Sequence, residues 1–97
     1  MKHATPAALA KLEPLLVRLR RHVGLKEKSL GVFYFKSKAI LHFHEDPAGL
    51  FADLRTTGDW RRFAVDTAAE RAALLQTTAV FLSRAHERSR RLTAAGP

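Results

Sequence analysis

His42-Phe43-His44-Glu45-Asp46 carries the densest chemistry in the chain. Histidines two positions apart project to the same side of an extended strand, because side chains alternate with a period of two. With Asp53 from a following strand, His42 and His44 form a candidate ligand set for zinc or another first-row metal, which accept imidazole nitrogen and carboxylate oxygen. A third well-placed ligand is not evident, and Glu45 and Asp46 read as the opening of a turn, so no metal or other cofactor is expected. The same groups, near Tyr34, could tune a histidine for acid–base work at neutral pH. No nucleophile motif, phosphate-cradling glycine loop or paired-carboxylate signature accompanies them, and no enzymatic activity is expected.

A second chemistry uses neighbouring residues. Tyr34, Phe51 and Trp60 could stack on unpaired bases while Lys36, Arg55 and Arg62 meet phosphates. Arg18, Arg20 and Arg21, together with Arg84, Arg88, Arg90 and Arg91, would extend that footprint. The competing use of these groups is a protein contact, most simply with a second copy of the chain, since aromatics flanked by charge also suit an interface. No recognised DNA or RNA motif decides between them.

Composition bounds both readings. A chain of 97 residues, 46% hydrophobic, is one domain with a modest core and no room for a large enclosed active site. The absence of cysteine excludes disulfides, thiolate metal sites and cysteine nucleophiles. No apolar run approaches the roughly 18 residues of a membrane span. Lys11, Glu13 and Pro14 interrupt any signal-peptide core, and a cytoplasmic location without membrane partners is expected. Net charge is +8, and eleven of the seventeen cations are arginine, which favours bidentate contact with phosphate or carboxylate.

The elements that must position these groups follow from pattern. Thr5-Pro6 is a helix start, and Leu9, Leu12, Leu15, Leu16, Leu19 and Val23 recur at helical spacing. Pro14 costs about 3 kcal/mol inside a helix. The first turns are therefore either a separate short segment or one arm of a kink near Leu12, with the main helix expected over Pro14–Val23 and closed by Gly24. Leu25–Leu30 reads as a polar connector. Strands are expected at Gly31–Lys36, Ile40–His44, Leu50–Arg55 and Trp60–Val65, in a four-stranded meander. Thr67 and Glu70 make a capping box for a final helix whose stripe runs through Leu74, Leu75, Thr78, Phe81, Leu82 and Ala85. A frayed tail is expected over Thr93–Pro97.

Alternation then sorts the strands into faces. Phe33, Phe35, Leu41, Phe43, Leu50, Ala52, Leu54, Phe63 and Val65 form the face under the helices. Tyr34, Lys36, Ile40, His42, His44, Phe51, Asp53, Arg55, Trp60 and Arg62 form the other. A three-residue first hairpin loop would pair Phe35 with Leu41 and Tyr34 with His42. Four-residue second and third turns would set His42 opposite Phe51 and Asp53 opposite Arg62.

The order helix, four-stranded meander, helix, with Gly31-Val32-Phe33-Tyr34 and Phe51-Ala52-Asp53-Leu54 as strands, resembles the YjbR/MmcQ-like group of bacterial proteins, whose fold is also compared with frataxin-type sandwiches. The resemblance spans about residues 14–85. It implies a helix–sheet–helix fold and association with DNA, but transfers no functional residue. The chain departs from the group in lacking a tryptophan-bearing motif near its end, Trp60 lying earlier. The block from His42 to Arg55 looks like the signature of an uncharacterised bacterial family.

The expectation is thus an α+β domain with both helices on one sheet face. Its function would be that of a non-enzymatic binding module using Tyr34, Lys36, His42, His44, Phe51, Asp53, Arg55, Trp60 and Arg62. The partner would be nucleic acid or a protein, including a second copy; metal binding by His42 and His44 is the lesser alternative.

Overall fold

Proline and its caps shape the N-terminal region. In the computed structural model, which describes residues 2–94, the Thr5 hydroxyl accepts a hydrogen bond from the Ala8 N–H at 3.3 Å and starts helix α1 (Pro6–Lys11). The chain breaks at Leu12 and restarts as α2 (Glu13–Arg20). Pro14 thereby stands in the first turn of a new helix, where its missing N–H breaks no bond. The separate-segment alternative holds. The main helix ends at Arg20 rather than Val23, and Gly24, at φ 94°, instead redirects the chain into a strand.

That strand corrects the reading of Leu25–Leu30 as a connector. Residues Leu25–Ser29 form β2, an edge strand paired with β3 (Val32–Phe35). Its polar sequence suits an edge, where lysines discourage further pairing. Only Leu25 reaches the core. β4 (Lys38–Asp46), β5 (Gly49–Arg55) and β6 (Trp60–Ala64) continue the antiparallel order β2-β3-β4-β5-β6. A further short strand, β1 (Lys2–His3), pairs with β4, so the sheet has six strands where four were expected.

Turn chemistry decides the register. The first hairpin turns through Lys36 and Ser37, with Phe35 opposite Lys38, rather than through three residues. Lys36 adopts φ 57°, which permits the tight reversal. A two-residue loop alone would turn His42 inward, but a bulge intervenes. Tyr34 pairs with Ala39 and Phe33 with Leu41, leaving Ile40 as the extra residue. The bulge restores the expected faces for Leu41 and His42 and sends Ile40, only 4% exposed, into the core instead of outward.

The second turn is also tighter than expected. The Asp46 carboxylate accepts the Ala48 N–H at 2.9 Å, closing a two-residue turn with Asp46 opposite Gly49. His42 therefore faces Asp53, not Phe51, and His44 faces Phe51. The third turn has four residues, and Asp53 lies opposite Arg62 as the alternation required.

Helix α3 (Ala68–Ala94) begins at the expected capping box. The Glu70 N–H donates to the Thr67 hydroxyl at 3.1 Å, and the Thr67 N–H donates to the Glu70 carboxylate at 2.9 Å. The expected tail divides: the helix runs through Ala94, and Ala95–Pro97 lie outside the described residues. All three helices contribute to one core on one face of the sheet, where Leu9, Leu12, Leu16, Leu19, Leu74 and Leu82 meet Phe33, Leu41, Phe43, Ala52 and Leu54. The fold is α+β. Among the described residues no helix is long and apolar enough to cross a membrane.

Candidate metal centre on the outer sheet face

With the helices on one side, the opposite face holds the chemistry. Its histidine pair gains a third member from an element too short to show a pattern. β1 adds to the edge of β4 beyond the end of β3, with His3 opposite His44 and Lys2 opposite Glu45. The Ala4 N–H donates to the Phe43 carbonyl at 3.1 Å, and the Thr5 N–H donates to the Glu45 carboxylate at 2.6 Å. These bonds from Thr5 hold the Glu45 carboxyl below its usual range. Glu45 is thus a tether for the strand-to-helix junction, not the open turn residue that its sequence suggests.

The result is a cluster of three imidazoles. Each of His3, His42 and His44 offers a ring nitrogen, and these nitrogens all lie within 4.8 Å of one another. His3 stacks on His44 with centroids 5.0 Å apart, and His42 meets His44 edge-on at 4.6 Å. His42 Nδ1 and both ring nitrogens of His44 are buried without a hydrogen-bond partner. Buried polar atoms are nearly always paired, so an orphan group of this kind marks strain, reactivity or an ion-binding position.

Asp53 lies beside the histidines, opposite His42 across β4 and β5, and is only 7% exposed. Its two oxygens accept the Arg62 guanidinium in a bidentate pair at 2.8 Å each, and those bonds are the main cause of its depressed pKa. His44 Nε2 sits 3.1 Å from Asp53 Oδ2, at ion-pair distance but without hydrogen-bond alignment. The carboxylate is therefore charged and already committed to Arg62, which suits a group that orients a ligand rather than one that is a ligand. His42 is also shifted downward, for a different reason. Burial, then the neighbouring His44, push its pKa below 6.5, against an opposing pull from Asp53. The shift favours the neutral imidazole, the form that donates a lone pair to a metal.

The remaining members of the face are distributed around this centre. Trp60, 40% exposed, meets His42 edge-on at 4.6 Å, and Arg55 lies over the Trp60 ring at 4.6 Å while donating to the Ala39 carbonyl. Phe51 is half-buried beside His44. Tyr34 lies farther along the sheet under the Lys28 ammonium. Lys36 sits apart, in the first hairpin near the Phe35 ring and on the side of α3.

His3 escaped the sequence reading because two residues carry no periodicity. One signal was available: the Thr5 cap fixes where the first helix begins, which leaves Lys2–Ala4 as a free arm beside it. No protein-family model, curated protein or solved structure matches the chain in comparison.

Proposed function

We propose that this protein binds a first-row divalent transition metal, zinc in the first instance, through His3, His42 and His44. The observation that carries the reading is a three-histidine cluster in which His42 Nδ1 and His44 Nδ1 are buried without hydrogen-bond partners while His44 Nε2 faces Asp53. Tetrahedral zinc with Zn–N bonds of about 2.0–2.1 Å holds its nitrogens roughly 3.3 Å apart. The three nitrogens, now within 4.8 Å of one another, would have to close to that spacing, and His3 is the exposed member of the set. Asp53 would fix the orientation and basicity of His44, as carboxylates do for metal-bound histidines. Three protein ligands would leave a fourth coordination position for water or another ligand. The functional unit is a binding site, and no catalytic step is assigned to it.

Nucleic-acid binding or self-association through the same face has less support. Arg62 is engaged by Asp53 and Arg55 by Trp60, which leaves few free cations beside the aromatics.

The test is metal content of tag-free protein after chelator treatment, dialysis against zinc and elemental analysis. One zinc per chain is expected, with uptake lost in His42→Ala and in His44→Ala. Absence of stoichiometric uptake by the unaltered chain, or full uptake by both variants, overturns the reading.

A further inference from the structure

A second group of cations lies on the other side of the sheet. The β3–β4 hairpin, the β5–β6 turn and the middle of α3 surround a half-open cleft of about 970 Å³. Its floor is apolar and aromatic, with the Phe35 and Phe81 rings edge-on at 5.5 Å. Lys36, Lys38, Arg55, Arg84 and Arg88 line it, hydroxyls of the Thr56-Thr57 turn join them, and no carboxylate does.

What sets the cleft apart is that its cations gather around one concavity that no carboxylate lines. Elsewhere Arg20 sits between Glu13 and Glu27, Arg62 on Asp53 and Arg91 against Glu87. Lys36, Lys38, Arg84 and Arg88, like most cations of the chain, have no ion-pair partner among the described residues, but these four meet at one cleft. Lys36 also holds φ 57°, a backbone region that glycine or asparagine occupies more readily. Strained residues of this kind tend to collect at functional surfaces. Here the strain keeps a cation at the mouth of the cleft where glycine would relieve it.

We infer that the cleft binds single-stranded nucleic acid. Uncompensated cations along an aromatic floor are the two components of a strand-binding groove, one meeting phosphates and the other bases. A compact phosphate ligand would be served by a point of charge. Here the charge forms a row: Arg84 and Arg88 follow one another at helical spacing along α3, opposite Lys36 and Lys38 of the hairpin. The assignment is independent of the metal reading, because none of the cleft residues touches the histidine cluster except through Arg55 and Trp60.

The test is fluorescence anisotropy of a short labelled oligothymidine, with a blunt duplex and anionic phospholipid vesicles as competitors, across a salt series. Binding is expected to weaken linearly in log–log form, with a slope of about −0.7 for each phosphate neutralised. The Arg84→Glu, Arg88→Glu double variant should bind at least tenfold more weakly and with a flatter slope. A Lys26→Glu, Lys28→Glu double variant, with the same change of net charge on the far edge strand, should stay within about twofold of the unaltered chain. Lys36→Gly, which relieves the backbone while removing the cation, should also weaken binding. No binding at low salt, equal loss from the edge-strand variant, or preference for the duplex or the vesicles would each overturn the assignment.

Discussion

At the scale of single residues, the outer face is organised by which charges are already satisfied. Asp53 is the pivot: it takes both nitrogens of the Arg62 fork and stands 3.1 Å from His44. If it positions His44 for a metal, Asp53→Ala should weaken zinc affinity by about 10–100-fold without abolishing uptake, as removal of such outer partners does. Competition against a chromogenic chelator measures this. Loss as complete as in His44→Ala would make Asp53 a direct ligand instead. Gly31 shows a different single-residue constraint. It holds φ 75°, and a Cβ there would lie 2.7 Å from Leu9 Cδ2. Gly31→Ala should therefore destabilise the fold by more than about 1 kcal/mol, since both the backbone and the core must yield. Urea denaturation monitored by Trp60 fluorescence would read it.

At the scale of elements, local chemistry places the helices and ties them to the sheet. Arg20, on the last turn of α2, donates to Glu13 at 2.7 Å and to Glu27 of β2 at 2.6 Å. Glu27 also accepts the Gly31 N–H, so one carboxylate links helix, edge strand and turn. The bond from Arg20 is the largest cause holding its pKa below the usual 4.5. A carboxyl depressed in the folded state stabilises the fold at pH values above its unfolded pKa and loses that contribution as pH falls through the folded one. Acid unfolding of the unaltered chain should thus steepen below about pH 4.5, and Glu27→Gln should flatten that limb while lowering stability at neutral pH. Identical acid limbs in the two proteins would remove the role assigned to this junction.

At the scale of the whole molecule, the two faces of one sheet present different side chains, imidazoles on one and a cation-lined cleft beside the helices on the other. The extents of 54 × 25 × 24 Å reflect a 27-residue α3, about 40 Å long, that overhangs the sheet and carries Arg84 and Arg88 with it. On the far face, a metal held by His3, His42 and His44 would clamp the N-terminal arm to the central strand. A ligand bound only by the folded chain stabilises it by mass action, about 2.7 kcal/mol at a hundredfold excess over Kd. For a chain of this size that corresponds to a rise in Tm on the order of 10 °C. Thermal unfolding with and without zinc should show the rise in the unaltered chain and not in His3→Ala. An equal rise in His3→Ala would place the metal elsewhere.

Much of this fold is legible without coordinates. The Thr5 cap, the Thr67–Glu70 box and the alternation through β4, β5 and β6 are short-range patterns, governed by backbone hydrogen bonding and side-chain period within a few residues. They also placed His42, His44, Asp53 and Arg62 on a common face. What the sequence could not decide depends on contacts between distant segments. The bulge at Ile40 is set by the fit of β3 against β4, and β2 is a strand only because β3 offers it an edge. His3 joins the cluster through a two-residue pairing 41 positions away in sequence from His44, held by Glu45 and stabilised by no periodicity of its own. The cleft likewise exists only because α3 crosses the end of the sheet and brings Arg84 and Arg88 beside Lys36 and Lys38. Local patterns assigned residues to elements and faces; tertiary packing chose which of them meet.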